Sequence, residues 1–209
     1  MKRLLFGLTM LSCLCVAEDL KLEDLSRFGC DKNLDNSFFK TCYDYKHKGA
    51  IASYTKLIGE NVDKGNIKER EHFYDDVNIP EEYRTKDSDY TNRGFDRGHV
   101  NGDASFDWSE ESLHATYALS NIVPQYPKTN RISYLNVEKE ERAQAKALGY
   151  VEVQVQIEYN SGVKMKDTDV PSAFNILIYN NEKNFKECFH VKNDNIAYDL
   201  SQTKVDCKN

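Results

Sequence analysis

The sequence predicts one α+β domain built from several strands and one long helix. Residues 151–159 alternate strictly between apolar and polar side chains, which is the pattern of a strand with one buried face. Residues 173–179 are more uniformly apolar and predict a second, more deeply buried strand. Ahead of both, a stretch rich in Glu, Lys, Arg and Ala runs from Asn130 to Gly149 and predicts a helix that ends at the glycine.

The first half of the chain gives weaker signals. Residues 18–50 are charged and aromatic and predict an irregular lead-in to the domain. Residues 50–58 alternate well enough to predict a strand, and Gly59 ends it. Residues 60–93 are polar with recurring aromatic side chains, which predicts an extended loop.

The middle of the chain predicts a local ββα unit. Residues 94–99 leave a turn and enter a strand, and a second strand at 117–123 is stopped by Pro124. Between them, Asp107 and Glu110 have the spacing of a capping box at the start of a short helix. The two strands and the long helix that follows them give the ββα order.

The N-terminus has the pattern of a targeting segment. Lys2-Arg3 is followed by an apolar run over 4–16 and then by Ala17, which predicts a signal peptide at 1–17 cleaved after the alanine. The apolar run is shorter than the ~20 residues that span a bilayer, so no membrane is expected for the mature form. We therefore predict a secreted or periplasmic protein whose single domain is 18–209; a lipoprotein at Cys13 is a weaker alternative.

Four cysteines follow this leader: Cys30, Cys42, Cys188 and Cys207. An even number in an oxidising compartment predicts two disulfides, and three pairings are open. Local pairing, Cys30 with Cys42 and Cys188 with Cys207, is favoured because it would cross-link both ends of the domain. A zinc site using Cys188, His190 and Cys207 is an alternative, although a second close cysteine pair is missing.

The overall charge is unlike that of a simple nucleic-acid-binding protein. The chain has 28 Lys and Arg against 34 Asp and Glu, a net charge of −6. Proteins that hold nucleic acid by neutralising many phosphates are usually basic. If this chain acts on nucleic acid, we expect a local basic groove and a bound cation instead.

Two segments carry candidate chemistry. Asp96-Arg97-Gly98-His99 is followed, 22 residues after the histidine, by the amide-rich turn that begins at Asn121, and then by Asn130. A histidine beside an Asp-Arg pair and an amide-rich turn ahead of a helix suggest metal-assisted phosphodiester cleavage. Taken singly, these residues have simpler interpretations: an ion pair at a strand end with His99 as a cap, and Asn130 as a helix N-cap.

Together the segments resemble the DNA/RNA non-specific endonuclease family, the ββα-metal or His-Me finger nucleases. The match consists of Asp96-Arg97-Gly98-His99, Ser120-Asn121-Ile122-Val123-Pro124-Gln125, Asn130 and Glu138 at the family's spacings. Covering roughly 50–180, it implies a central antiparallel sheet flanked by helices. It also implies Mg²⁺-dependent endonuclease activity on DNA and RNA that leaves 5′-phosphates.

One departure from the family pattern follows the histidine. Many relatives have a proline there, whereas this chain has Val100-Asn101-Gly102-Asp103. We expect a change in loop stiffness that touches no residue assigned to chemistry.

The resemblance also implies roles for the matching residues. His99 would be the general base, since its ordinary pKa is near neutrality. Asn130 would be the direct protein ligand of Mg²⁺, with Mn²⁺ as a substitute, because an amide oxygen is a hard neutral ligand. Arg70 would stabilise charge on the phosphorus, with Arg84 and Arg93 as alternatives.

The remaining assignments leave alternatives open. Asn121 would anchor the active-site backbone or orient the histidine, unless it is only a buried structural residue. Glu138 lies eight residues after Asn130, a rise of ~12 Å in a regular helix, so it needs an irregular helix start or an intervening water to act at the metal. Otherwise it is a solvated surface residue. Asp96 is expected to fix Arg97 and the strand end, with Gly98 supplying a turn.

Two rival functions remain at this stage. One is a non-catalytic nucleic-acid-binding protein on the same fold, and the other is a zinc-stabilised scaffold. The phosphate-loop, HExxH and GxSxG patterns are all missing from the sequence, which argues against P-loop nucleotide hydrolysis, metalloprotease and esterase activity. A homodimer is compatible with the sequence, and no inhibitor partner can be identified from it.

Overall fold

The computed structural model describes residues 22–207, so the leader predicted at 1–17 lies outside the described part. In chain order the strands are β1 (Lys32–Asp35), β2 (Phe39–Asp44), β3 (Gly49–Ile58), β4 (Asp96–His99), β5 (Ile122–Gln125), β6 (Tyr150–Glu158), β7 (Lys164–Met165), β8 (Thr168–Asp169), β9 (Ala173–Asn180), β10 (Phe185–Lys192) and β11 (Lys204–Val205). The helices are α1 (Gly59–Lys64), α2 (Glu110–Thr116), α3 (Leu135–Leu148) and α4 (Leu200–Thr203). A π-helical turn, Thr129–Tyr134, leads directly into α3.

Seven strands form one sheet in the order β1-β2-β3-β6-β9-β10-β11, and every neighbouring pair is antiparallel. β4 and β5 form a separate two-stranded ribbon, as do β7 and β8. The predicted α+β class is confirmed, and the predicted ββα unit is present as β4, β5 and α3. Between residues 22 and 207, no helix has the length and apolar character needed to cross a membrane.

The main core lies between the large sheet and α3. Val151, Val153, Val155 and Ile157 of β6 are all buried, as the alternating pattern predicted. They belong to the same cluster as Val137 and Ala145 of α3. Full burial of one aliphatic side chain contributes roughly 1.5–3 kcal/mol, so this contact fixes α3 against the sheet.

Strands β1, β2 and β10 were missed, and in β2 and β10 the sequence hides the alternation. Residues 18–50 were expected to be irregular, yet β1 and β2 form a hairpin there. β2 buries Thr41, Cys42 and Tyr43 in succession, and its register with β3 shifts between the last two of these. A bulge of this kind breaks the period of two. β10 was also missed; it carries Lys186, Glu187 and Lys192 among its apolar residues.

Two local predictions in the ββα unit were wrong. The cap of α2 is Ser109, whose Oγ accepts a hydrogen bond from the backbone N of Ser112 at 3.1 Å; it is not Asp107. The second predicted strand starts at Ile122 and not at residue 117, and it does not stop at Pro124 but includes it, opposite Arg97. A proline is tolerated because β5 pairs only with β4 in the described chain, which leaves one edge free.

Both predicted disulfides are present. Cys30 is bonded to Cys42 of β2, and Cys188 of β10 is bonded to Cys207. Each closes a short loop and contributes roughly 3 kcal/mol in the chain-entropy treatment. The alternative zinc site is contradicted, because two of its three ligands are consumed by one disulfide.

Gly98 of β4 leaves room for a buried glutamine. A Cβ at this position would lie 2.3 Å from Cδ of Gln125, whose side chain is fully buried. We expect Gly98→Ala to lower the free energy of unfolding by about 1–3 kcal/mol through overpacking, measured by urea denaturation. Adding Gln125→Ala should recover part of that loss, with Gln125→Ala alone as the reference. A Gly98→Ala chain as stable as the wild type would contradict this packing argument.

Candidate active site

Strand pairing brings the two motif segments together. β4 consists of Asp96-Arg97-Gly98-His99, and β5 begins directly after Asn121. In the ribbon, His99 lies opposite Ile122 and Asp96 lies opposite Gln125. Residues more than twenty positions apart therefore occupy adjacent strands.

His99 ends β4 with its ring between two aromatic side chains. The ring centroid lies 5.7 Å from that of Phe73 and 5.1 Å from that of Tyr117. Its Nε2 atom is buried and has no hydrogen-bond partner among the described residues. Burial lowers the pKa of His99, Asp103 opposes this shift, and Arg70 adds to it. A neutral imidazole with a free ring nitrogen can accept a proton at neutral pH.

Asn130 is held by a carboxylate of β4. Its Nδ2 donates to Oδ2 of Asp96 at 3.1 Å, which leaves the amide oxygen available as a ligand. The N-cap of the π turn is Lys128, so the interpretation of Asn130 as an N-cap is not supported. Arg131 also binds Asp96, through Nε at 2.8 Å and Nη2 at 2.7 Å.

The expectation that Asp96 fixes Arg97 was wrong. Arg97 Nε pairs with the carboxylate of Asp87, and its Nη2 donates to the Asp87 carbonyl oxygen at 2.9 Å. The guanidinium also lies over the rings of Tyr90 and Phe73, at 5.2 and 5.7 Å. Adjacent residues of a strand point to opposite faces, so Asp96 and Arg97 take different partners.

The helix that carries Glu138 begins irregularly, as the proposed role of this residue required. Eight regular helical steps turn a side chain ~800°, about 80° past two full turns. The π turn at Thr129–Tyr134 closes i→i+5 bonds, so each of its residues turns the chain less. This brings the side-chain directions of Asn130 and Glu138 closer together.

Glu138 is not a solvated surface residue. Its carboxylate is largely buried, with only 14% of the side chain exposed, and Arg142 lies 4.0 Å away. A Cβ on Gly102 would come within 2.4 Å of its Oε1 atom. Burial is the main cause that raises the pKa of Glu138 to about 7, while Arg142 opposes the shift and Asp103 adds to it.

Arg70 is the arginine whose charge reaches His99. It pairs with Asp107 at 3.2 Å and with Asp103 at 3.6 Å. Of the two alternatives, Arg84 donates to the carbonyl oxygens of Ile79 and Val77 at 2.6 and 3.3 Å. The other, Arg93, is exposed in the turn ahead of β4.

The side chain of Asn121 fixes the backbone segment that follows His99. Its buried Oδ1 accepts from the backbone N and from Nδ2 of Asn101, at 3.0 and 2.9 Å. Its Nδ2 donates to the carbonyl oxygens of Asn101 and Thr116, at 3.1 and 2.9 Å. The amide is therefore satisfied on both sides, and it fixes the chain two residues beyond His99.

The departure from the family pattern does touch the residues assigned to chemistry, contrary to our expectation. Asn101 bonds Asn121, Gly102 packs against Glu138, and Asp103 pairs with Arg70. Asp103 was missed because it lies outside the motif segments and its partners are distant in sequence. Recognising it required the fold.

A second buried carboxylate lies one turn beyond Glu138. Burial, with a further contribution from the charge of Glu138, raises the pKa of Glu141 to about 8. A carboxyl whose folded pKa is raised favours the folded state at low pH, and this stability is lost as pH rises from about 4.5 to about 8.

Glu141→Gln removes that titration. We expect it to raise the free energy of unfolding at pH 9 by on the order of 1 kcal/mol and to leave it unchanged near pH 4, measured by urea denaturation. The exposed Glu111→Gln serves as control and should stay within about 0.5 kcal/mol at both pH values. Equal behaviour of the two variants would show that Glu141 carries no such penalty.

Comparison with known proteins places these residues in a family context. The chain is similar to the mitochondrial endonuclease G of Homo sapiens, 35% identical over 103 residues, which cover 49% of this chain and 34% of the relative. It is also similar to mitochondrial nuclease 1 of Schizosaccharomyces pombe, 43% identical over 92 residues, which cover 43% of this chain and 28% of the relative. The matches thus span about a third of each relative's length.

A solved structure shares the fold. The structure described as the EndoG/EndoGI complex, with a mechanism of EndoG inhibition, superposes with a TM-score of 0.74 at 21% identity. The match covers 83% of this chain and 80% of that chain. At this level of identity the likeness concerns the fold, and it supports the predicted antiparallel sheet flanked by helices.

The predicted secreted or periplasmic location is contradicted. Several relatives, including those from human and Schizosaccharomyces pombe, are named as mitochondrial nucleases. The residues that suggested export lie outside the described part of the chain. A basic start followed by a short apolar run does not by itself distinguish a secretory leader from other N-terminal targeting segments, which is why the pattern misled.

The family model described as DNA/RNA non-specific endonuclease matches residues 19–209. This range contains both motif segments, the π turn and all of the sheet. The chain belongs to the DNA/RNA non-specific endonuclease family.

Proposed function

We propose that the chain is an endonuclease that hydrolyses phosphodiester bonds of DNA and RNA with little sequence preference. The observation that carries this proposal is a pair of acceptor atoms in the ββα unit that the described contacts leave available to a ligand. One is the buried Nε2 of His99, which has no hydrogen-bond partner among the described residues, and the other is the amide oxygen of Asn130, whose nitrogen is committed to Asp96. Family membership supports the same activity.

The donor atoms fit a hard divalent cation, Mg²⁺ with Mn²⁺ as a substitute. Within 22–207 no group of three or more His, Cys, Asp and Glu side chains is arranged to hold a metal. Mg²⁺ needs no such cage, because it keeps several waters and is often held by one or two oxygen ligands. Asn130 would supply the direct ligand, and the buried Glu138 would hold a coordinated water. When bound, the ion supplies positive charge for the phosphate and the leaving oxygen.

The chain's own residues account for the rest of the reaction. His99 takes the proton of the attacking water through its free ring nitrogen. Arg70 places its guanidinium beside the phosphate and offsets the negative charge that develops there. Asn121 keeps the backbone beyond His99 in place. Because water is the nucleophile, the ribose 2′-OH is not required, so one site serves both polymers, and the products carry 5′-phosphates.

His99→Ala tests the assignment of the base. We expect this variant to keep its fold, judged by circular dichroism and urea denaturation, and to nick plasmid roughly 10²–10⁴-fold more slowly. The control is His114→Ala, because that histidine is half-exposed and stacks on Tyr74 at 4.5 Å. Plasmid nicking by the His99 variant at the wild-type rate would remove the histidine from the mechanism, whereas a wild-type chain that binds plasmid without nicking it would favour a non-catalytic nucleic-acid-binding protein.

Metal removal and Asn130→Ala test the ligand assignment. Treatment with EDTA should stop nicking and added Mg²⁺ should restore it, since the ion supplies positive charge for the leaving oxygen. Asn130→Ala should be at least about a hundredfold slower at equal Mg²⁺, while the exposed Asn33→Ala should match the wild type. Nicks that a ligase reseals without prior kinase treatment would verify the 5′-phosphate ends; nicking that persists in EDTA would rule out the metal.

A further inference from the structure

Arg70 lies in a stretch that the backbone holds only at its ends. On one side, the backbone N atoms of Asn66 and Ile67 donate to the Asp107 carbonyl oxygen, both at 3.2 Å. On the other side, the backbone N atom of Tyr74 donates to the carbonyl oxygen of Tyr117, which directly follows α2, at 3.2 Å. Between these anchors lie residues without regular secondary structure. The position of the guanidinium is therefore set by its own side-chain contacts.

Asp103 connects Arg70 to the surroundings of His99. Its Oδ2 lies 3.6 Å from Nε of Arg70 and accepts the hydroxyl of Tyr117 at 2.8 Å. The ring of Tyr117 in turn packs edge-on against His99, with centroids 5.1 Å apart. A single carboxylate oxygen thus joins the arginine to the aromatic wall of the histidine.

The backbone before Asp103 is fixed on two sides. Asn101 is bonded to the buried Asn121, and Gly102 is packed against the carboxylate of Glu138. The Asp103 carboxylate therefore starts from a rigid support, whereas Arg70 starts from a loose one. An ion pair with this rigidly held carboxylate therefore restricts the position of the Arg70 guanidinium.

We propose that Asp103 is a positioning residue that holds Arg70 at the phosphate of the substrate. This inference rests on the proposed hydrolysis and extends it to a residue outside the family motif. In this chain the segment after the histidine provides this contact through Asp103. Asp107 binds the other edge of the guanidinium and ties it to the start of the stretch.

The first experiment compares Asp103→Asn and Asp103→Glu with the wild type in steady-state cleavage of an oligonucleotide duplex. Asparagine still accepts the Tyr117 hydroxyl but loses the charge that holds Arg70. We expect kcat to fall about ten- to hundredfold with KM within about threefold, and glutamate to recover part of the loss. Asp63→Asn is the control, because Asp63 is 73% exposed and pairs with Lys146.

The second experiment repeats Asp103→Asn in an Arg70→Ala chain. If Asp103 acts through Arg70, the second substitution should lower kcat by less than about threefold once the arginine is gone. Losses that multiply would show a separate role and would overturn the proposal. The proposal would also be overturned if Asp103→Asn raised the Mg²⁺ concentration needed for half-maximal rate, both in the wild-type chain and in the Arg70→Ala chain. That result would identify Asp103 as a metal ligand.

A third measurement does not depend on activity. The ¹⁵N–¹H signal of the Arg70 Nε–H group, assigned by its loss in Arg70→Lys, should move or broaden in Asp103→Asn and stay in place in Asp63→Asn. An unmoved signal in Asp103→Asn would overturn the positioning contact. If the wild type fails to cleave nucleic acid, the proposed function fails, and this signal still decides whether Asp103 positions Arg70.

Discussion

The candidate site depends on the pairing of β4 with β5. This ribbon is the contact that sets the histidine segment beside the amide-rich turn, and a buried amide pair closes it. The side chain of Asn121 makes four hydrogen bonds, three of them to Asn101. A buried polar group left without partners costs about 1–3 kcal/mol, so the ribbon has a strong preference for one register. That register fixes where the chain emerges after His99.

Charge at the site is balanced locally even though the chain is acidic overall. Arg70, Arg97 and Arg131 surround β4, and each has an aspartate partner: Asp103 and Asp107, Asp87, and Asp96 respectively. These three arginines and four aspartates sum to −1, so the set is close to neutral, whereas the whole chain carries −6. Each aspartate fixes the orientation of its guanidinium group, so these groups can bind a phosphate without a large basic surface.

The sequence predicted the parts of the fold and site that follow from local periodicity or from a motif of fixed spacing. β6 was predicted from its alternating pattern, β9 from its apolar run, and His99 and Asn130 because their spacing matches a family. The partner of Asp96 was missed, since Arg131 lies on an element 35 residues away and neighbours in sequence were the obvious choice. Asp103 was missed for the same reason, because its contacts with Arg70 and Tyr117 exist only in the folded chain.

Glu138 shows how far a geometric argument from sequence can go. A regular helix cannot present Asn130 and Glu138 to one point, so the spacing of eight residues required either an irregular start or a water. The structure contains the irregular start as a π turn, a feature that occurs frequently at functional sites. The sequence does not specify this turn, because weak helix formers such as Thr, Asn, Ser and Tyr favour no particular helical period. Tertiary contacts select it: the hydroxyl of Tyr134, the last residue of the turn, donates to the Val100 carbonyl oxygen at 2.8 Å, and its ring packs on Phe174 with centroids 5.0 Å apart. These contacts tie the start of the helix to the residue that follows His99, so the proposed base and the proposed metal ligand are positioned by one packed unit.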